Sequence, residues 1–354
     1  MGPLAVALLA IALASVFVLC RWSFAADGDV SRFVVAGKAF ADPATIDPPI
    51  HVFDSSGYDG QFYWRMAVAP DAHDLSPAHG MRIDQGIRFG RIGYPTVAWL
   101  GALGADQRVP WALVGVNVLG IGAIAGCVAS YCRRRGLDPL YGLLVAGIVA
   151  LDRGRVALTA AAWAFAVVVH EQALLVVGAY AVARIIDLAR RRRRPERADA
   201  AWIVPAIAFA GWQLICLARW DELPVSASGS KNLGLPFAGL IGLASDWLSG
   251  DIARQEVLFP LQLLFVMALT VVALRTRLSA SEAWLKAAVA AGALLAVLIS
   301  YNVWKQPAEL RQIAILPALA WITVLSTPTP PPRWLTTLGI VATCATAALR
   351  IVAI

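Results

Sequence analysis

Apolar runs of about twenty residues recur along nearly the whole chain, separated by short polar or basic breaks. They predict membrane helices near Leu4 to Cys20, Trp111 to Cys132, Pro139 to Leu151, Val156 to Ala179, Ala201 to Leu217, Val257 to Leu274, Ala283 to Tyr301, Ile313 to Leu325 and Leu335 to Val352, about nine in all. Pro139 to Leu151 is short: about 20 Å of helix against a roughly 30 Å hydrocarbon core, so it is expected to dip or break beside a cavity. The equally short run Ile92 to Gly104 is expected to lie as an amphipathic or re-entrant helix against the outer leaflet. A similar role is expected for Leu235 to Leu248, where Gly239 and Gly242 weaken an ordinary helix, and Thr327 to Pro332 should be a stiff extended connector. No internal repeat or heptad pattern is present.

The first run has two readings, an uncleaved span or a signal peptide ending near Ser23-Phe24-Ala25. Its length, and the lack of a basic residue before it, favour a span. Basic clusters orient the remainder, because Lys and Arg in short loops stay on the cytoplasmic side. Arg133 to Arg135, Arg190 to Arg194, Arg275 with Arg277, and Arg333 are therefore expected to face inward. Residues 23–110, 220–256 and 302–312 then share the outer face. The predicted fold class is all-α: one polytopic membrane domain over 1–354, whose long extracytoplasmic first loop bears interfacial helices.

Composition sharpens this picture. At 59% hydrophobic and 15% charged residues, with a mean hydropathy of +0.68, the chain lies far from the roughly 25% charged content of soluble proteins. A disordered chain, a secreted disulfide scaffold and a cytosolic enzyme are all disfavoured. The net charge of +7 resides largely in the arginine clusters at span ends, so topology explains it better than nucleic acid does. The cysteines Cys20, Cys127, Cys132, Cys216 and Cys344 sit in or beside apolar runs without metal-ligand spacing and read as small core hydrophobes.

Chemistry is expected in the first loop, where Asp54-Ser55-Ser56-Gly57-Tyr58-Asp59-Gly60-Gln61-Phe62-Tyr63-Trp64-Arg65 is the densest polar and aromatic stretch. Tyr58-Asp59-Gly60 reads as a turn, with Gly60 supplying a positive φ, followed by a helix from Gln61 to Val68. Asp59 either presents a carboxylate at a cavity mouth or caps that helix. Arg82, Arg88 and Arg91 precede Gly93-Tyr94-Pro95 at the water boundary, where an arginine fork suits a phosphate or merely contacts lipid headgroups. Lys305 and Arg311 lie in a short outer loop against the usual bias. They serve either a ligand phosphate or an internal pairing with Glu309. His170 and Glu171 interrupt an apolar helix, where ionisable groups face a cavity or pair with a neighbour such as Arg153 or Arg155. The histidines and carboxylates show no metal-ligand spacing, and no phosphate-binding loop, nucleophile elbow or dinucleotide fingerprint is present.

With Tyr58-Asp59-Gly60-Gln61-Phe62-Tyr63 in a long outer loop and Arg88-Phe89-Gly90-Arg91-Ile92-Gly93-Tyr94-Pro95 after it, the chain resembles bacterial membrane proteins of cell-surface glycopolymer formation, which are similar to GT-C glycosyltransferases. The resemblance is close over Asp54 to Gly104. Elsewhere it rests on span number, Asn232-Leu233-Gly234-Leu235-Pro236 and the basic loop before the eighth span. At His170-Glu171-Gln172 the chain departs from an Arg-Glu-Thr type of triplet. The resemblance implies a glycosyltransferase of the bacterial inner membrane, moving sugar from a polyprenyl-phosphate donor to a cell-envelope glycan or lipid acceptor on the extracytoplasmic face. It implies Asp59 as the base on the acceptor, with Asp54 second.

Arg88, Arg91, Lys305 and Arg311 are then candidates for the leaving lipid phosphate, and Tyr58, Gln61, Tyr63, Trp64, Arg65, Tyr94, His170, Glu171 and Glu309 for further substrate contacts. No cofactor is expected. The Asp54-x4-Asp59 spacing is not a paired D-x-D, which leaves a divalent metal as the lesser alternative. Two rival readings share these residues: a non-enzymatic component such as a lipid-linked glycan flippase or assembly scaffold, and a polymerase or ligase of preassembled glycans.

Overall fold

The computed structural model describes residues 2–72, 75–134, 163–164, 173–191, 195–224, 232–250, 257–279, 282–304, 313, 315–327 and 329–352. It is mostly helical. The described α-helices are α1 (Pro3–Phe24), α2 (Asp59–Val68), α3 (Gly93–Ala102), α4 (Val109–Arg134), α5 (Ala173–Arg191), α6 (Ile203–Trp220), α7 (Ala238–Ser249), α8 (Phe259–Arg275), α9 (Trp284–Leu298), α10 (Tyr301–Trp304), α11 (Ile315–Leu325) and α12 (Arg333–Val352). Among the described residues three stretches, Pro3–Phe24, Asp106–Ser130 and Arg197–Trp220, are long and apolar enough to cross a membrane; α8, α9 and α11 are apolar but shorter. The expected span Pro139 to Leu151 lies outside the described residues, as does most of Val156 to Ala179.

Helix α1 packs along α4 because α4 offers a groove of small residues. Gly122 and Gly126, four residues apart and so on one face, lie against Ala7, Ile11 and the backbone carbonyls of Pro3 and Ala7. The pair is antiparallel: Gly126, late in α4, meets Pro3 early in α1, whereas Trp22 and Trp111 bring their rings to 5.9 Å at the other end. The core of the remaining helices is apolar. The buried α11 packs against α8 and α9 through residues such as Leu316, Leu319 and Ile322, and α12 packs on both α8 and α1.

Two helices differ from the hydropathy reading for identifiable reasons. Helix α5 continues to Arg191, well past Ala179, because Val182, Ile185 and Ile186 keep an apolar stripe at helical spacing while Arg184, Asp187 and Arg190 occupy other faces. Arg184 and Tyr180 then fasten it to the following turn: Arg184 Nε donates to Asp199 at 2.6 Å, and the Tyr180 hydroxyl donates to the Ala198 carbonyl at 2.8 Å. Helix α9 stops at Leu298 instead of reaching Tyr301. There Gly234 N donates to Leu298 O and Ser300 N to Asn232 O, so the 232–237 segment provides backbone partners that let the helix end.

Residues 25–108 form a compact cap on one end of α1, α4 and α6. A two-stranded parallel ladder pairs β1 (Ala36–Gly37) with β2 (Val52–Phe53). Ala36 of the ladder is fully buried together with Trp64, Met81 and Ala98, packed with Val34, Ala67 and Val109. Polar side chains fasten the loops. Gln61 accepts from Gly37 N at 3.0 Å and donates to Ser56 O at 3.0 Å, while buried Arg65 donates to the carbonyls of Met81 and Ser76 at 3.2 Å each.

The turn before α2 corrects the sequence expectation. Gly57, not Gly60, takes the positive φ, at 70°. Gly60 lies in the first turn of α2, so close to the Val34 carbonyl that a methyl group there would stand 2.6 Å from its oxygen.

Candidate functional site

Helix α2 begins at Asp59, with Tyr58 at its N-cap and no side-chain cap bond. Asp59 is therefore a first-turn carboxylate, placed where the helix dipole favours negative charge, rather than the capping residue. Its side chain meets a short 3₁₀ turn, Gly86–Arg91, which carries two of the predicted arginines. Arg88 Nη1 donates to Asp59 Oδ1 at 2.8 Å, and Arg91 Nη1 stands 3.6 Å from Asp59 Oδ2.

A second carboxylate, missed by the sequence reading, holds the other side of Arg88. Asp84 accepts from Nε and Nη2 at 2.9 Å each, a two-pronged pairing that fixes the guanidinium plane. The guanidinium carbon lies 4.4 Å from the centroid of Phe62. Burial alone would lower the Arg88 pKa; the Asp84 hydrogen bond and the charges of Asp59 and Asp84 outweigh this and the opposing charge of Arg91, giving a net rise. Arg88 stays charged.

The turn is seated on α6. Trp212 Nε1 donates to Phe89 O at 3.0 Å, and the Trp220 ring stacks on Phe89 at 4.2 Å with 9° between planes. Methyl groups added at Gly86 and Gly90 would press on Glu222 with Trp220 and on Pro224, respectively. Phe62, Met66, Ile83 and Phe89 form the small apolar core behind the charges.

On the other flank Tyr63 and Tyr94 meet edge to face at 5.2 Å, and Arg91 Nη1 lies 3.5 Å from the Tyr63 hydroxyl. The Tyr94 hydroxyl donates to Leu113 O at 2.9 Å and accepts from Asn117 Nδ2 at 2.8 Å. Burial pushes its pKa up to about 12, the Asn117 hydrogen bond acting in the opposite direction. Asn117 was legible only as an isolated amide in an apolar helix; Asp84 had the four-residue spacing to Arg88 as its one signal.

The charged cluster is neither in bulk solvent nor sealed: the side chains of Asp59, Arg88 and Arg91 are 22%, 31% and 29% exposed. A small ligand could reach these groups while their apolar backing still limits competing water.

Other predicted residues occupy different places. Asp54, on the rim of the cap, is 90% exposed and 3.5 Å from Lys38. Gln61 and Arg65 are buried and bind backbone groups within the cap. Tyr58 is the N-cap residue that precedes α2, its N–H donating to Val35 O. Trp64 has no exposed surface, so its ring face is not open to a sugar. His170, Glu171, Lys305, Glu309 and Arg311 lie outside the described residues. Among the described residues no group of three or more His, Cys, Asp or Glu side chains has metal-binding geometry.

Comparison with protein families, curated proteins and solved structures found no match. The functional reading therefore rests on the chemistry of these side chains and on the sequence resemblance.

Proposed function

We propose that the protein is a GT-C-type glycosyltransferase that moves a sugar from a polyprenyl-phosphate donor to a cell-envelope glycan or lipid acceptor. In this reading it is a multi-pass protein of the bacterial inner membrane whose site faces the extracytoplasmic side. The observation that carries the proposal is the meeting of Asp59 with Arg88 and Arg91 at 2.8 and 3.6 Å, beside the ends of apolar helices.

The chemistry has two needs: removal of a proton from the acceptor hydroxyl, and stabilisation of the departing lipid phosphate. Asp59 accepts the proton as the acceptor oxygen attacks the anomeric carbon from the face opposite the phosphate, inverting that centre. The carbon–oxygen bond to the polyprenyl phosphate breaks, its electron pair leaves on the phosphate, and Arg88 and Arg91 oppose the growing charge.

Arg88 is suited to both states. Asp84 retains its Nε and Nη2 while Nη1 contacts Asp59. A donor phosphate competes for Nη1, and that exchange releases the Asp59 carboxylate toward the acceptor. Tyr63 and Tyr94 border the same junction and supply aromatic surface for a sugar ring.

The test uses purified protein in lipid nanodiscs with radiolabelled polyprenyl-phosphate sugars and a cell-envelope extract. Asp59→Asn is expected to lower transfer by at least about 100-fold with little change in melting temperature. Wild-type turnover in that variant would remove the base assignment.

A second reading follows from the closed pairing of Arg88 with Asp59 and Asp84. The network would then be a structural clamp in a non-enzymatic scaffold or flippase. That reading expects no transfer by the wild type and a lower melting temperature for Asp59→Asn.

A further inference from the structure

A concave site lies on the cap away from the Asp59 junction, with the rings of Phe40 and Phe62 between them. It is an open pocket of about 510 Å³, lined in part by Lys38, Phe40, Asp42, Pro43, Gly80 and Arg82. Phe40 meets Phe62 edge to face at 5.3 Å, and Phe62 in turn lies beneath Arg88. The volume falls within the roughly 300 to 1,000 Å³ of small-molecule sites.

The walls are held in place. Gln61 binds the backbone immediately before Lys38, Asp42 N donates to Gly80 O at 2.9 Å, and Ala41 bridges to Met81. At Gly80 the backbone has φ +73° and lies so close to Ile46 that a side chain would collide with it.

Charge decides what this pocket suits. Its carboxylate, Asp42, already accepts from Ala44 N at 3.0 Å and Thr45 Oγ1 at 2.9 Å in a local turn. Arg82 is positioned by one bond, Nη2 to Ala39 O at 2.9 Å, with its guanidinium 5.4 Å from the Phe40 centroid. Of the five N–H donors of an arginine, one thus has a protein acceptor among the described residues. Lys38 is tied to Asp54 across 3.5 Å with both side chains exposed, a pairing that solvent screens and a ligand anion can replace. Two cations and one carboxylate therefore line the cavity, and both oxygens of the carboxylate are already engaged in the local turn, which leaves an excess of positive charge open to a ligand.

We propose that this pocket binds a small organic anion, one carrying a carboxylate or a phosphate on a compact body such as a sugar ring, with Arg82 and Lys38 on the anionic group and Phe40 and Pro43 against the body. The inference goes beyond the transferase reading and does not depend on it, because binding here requires neither Asp59 nor turnover.

The test is equilibrium binding to the full chain in nanodiscs of zwitterionic lipid, with trigalacturonate, mannose 6-phosphate, maltotriose and inorganic phosphate as probes. At least one of the two acidic sugars is expected to bind about tenfold more tightly than both maltotriose and inorganic phosphate, and to weaken as salt is raised. The better of the two identifies the anionic group.

Arg82→Gln and Lys38→Gln should each weaken that binding by about fivefold or more, the loss of one ion pair, at unchanged melting temperature. Asp59→Asn should leave it intact, so failure of the transfer assay and failure of this binding assay are separable. Equal affinity for maltotriose or inorganic phosphate, no binding of either acidic sugar, or unchanged affinity in the double variant would overturn the proposal.

Discussion

The cap formed by residues 25–108 and the helices around α11 are stabilised in different ways. In the cap, single polar side chains fasten loops that have little regular structure: Gln61 locks Gly37 to Ser56, and Arg65 ties α2 to the carbonyls of Ser76 and Met81. Around α11 the contacts are apolar and spread over many side chains, among them Leu285, Val289, Leu319 and Ile322. A region built on a few directional contacts should fail sharply when one is removed. One built on distributed packing should tolerate exchange at constant volume.

Arg65→Met gives the largest expected effect. It removes two hydrogen bonds from a charged donor, orphaning the Ser76 carbonyl and leaving Met81 O with Ala78 N alone, a cost of about 3 to 5 kcal/mol, visible as rapid proteolysis between Ala25 and Val109 before the bundle melts. Gly122→Leu comes next, forcing α1 away from α4 at a cost of about 1 to 3 kcal/mol. It should show as a lower melting temperature in detergent with the cap still resistant to protease.

Leu319→Met, at a position 1% exposed, should cost less than about 1.5 kcal/mol because the volume is kept. A loss as large as that of Arg65→Met would erase the distinction between the regions.

The smallest effect is a pH dependence. The Tyr94 phenol has its pKa raised by burial to about 12, above its ordinary value of 10.0. Its contribution is therefore complete below about pH 10 and lost as pH rises through about 12. Melting temperatures taken from pH 9 upward should fall more steeply for wild type than for Tyr94→Phe, by a small margin.

The same contrast explains what the sequence could reveal. Long apolar helices such as α1, α4 and α6 are visible because a membrane-length run admits few alternatives. The end of α5 was hidden because its outer turns need apolar residues on one face only, and the end of α9 because its partners come from the distant 232–237 segment. In the site, Asp59, Arg88 and Arg91 stood out by charge near an apolar boundary, and the structure brings them together. Asp84 did not stand out, since its role depends on a turn whose shape is set by Trp212 and Trp220, more than a hundred residues away. Gly57 and Gly60 show the finer limit: both are required, but only the contact with Val34 reveals that Gly60 needs space rather than a left-handed backbone.

Phe89 has a mechanical consequence. It sits between Arg88 and Gly90–Arg91, and both Trp212 and Trp220 grip it from α6. The turn that carries the guanidinium groups, though part of the cap, is thus held to a rod of membrane length, while their carboxylate partner Asp59 sits on α2. Any rocking of that rod relative to α2 becomes a change in the gap between opposite charges.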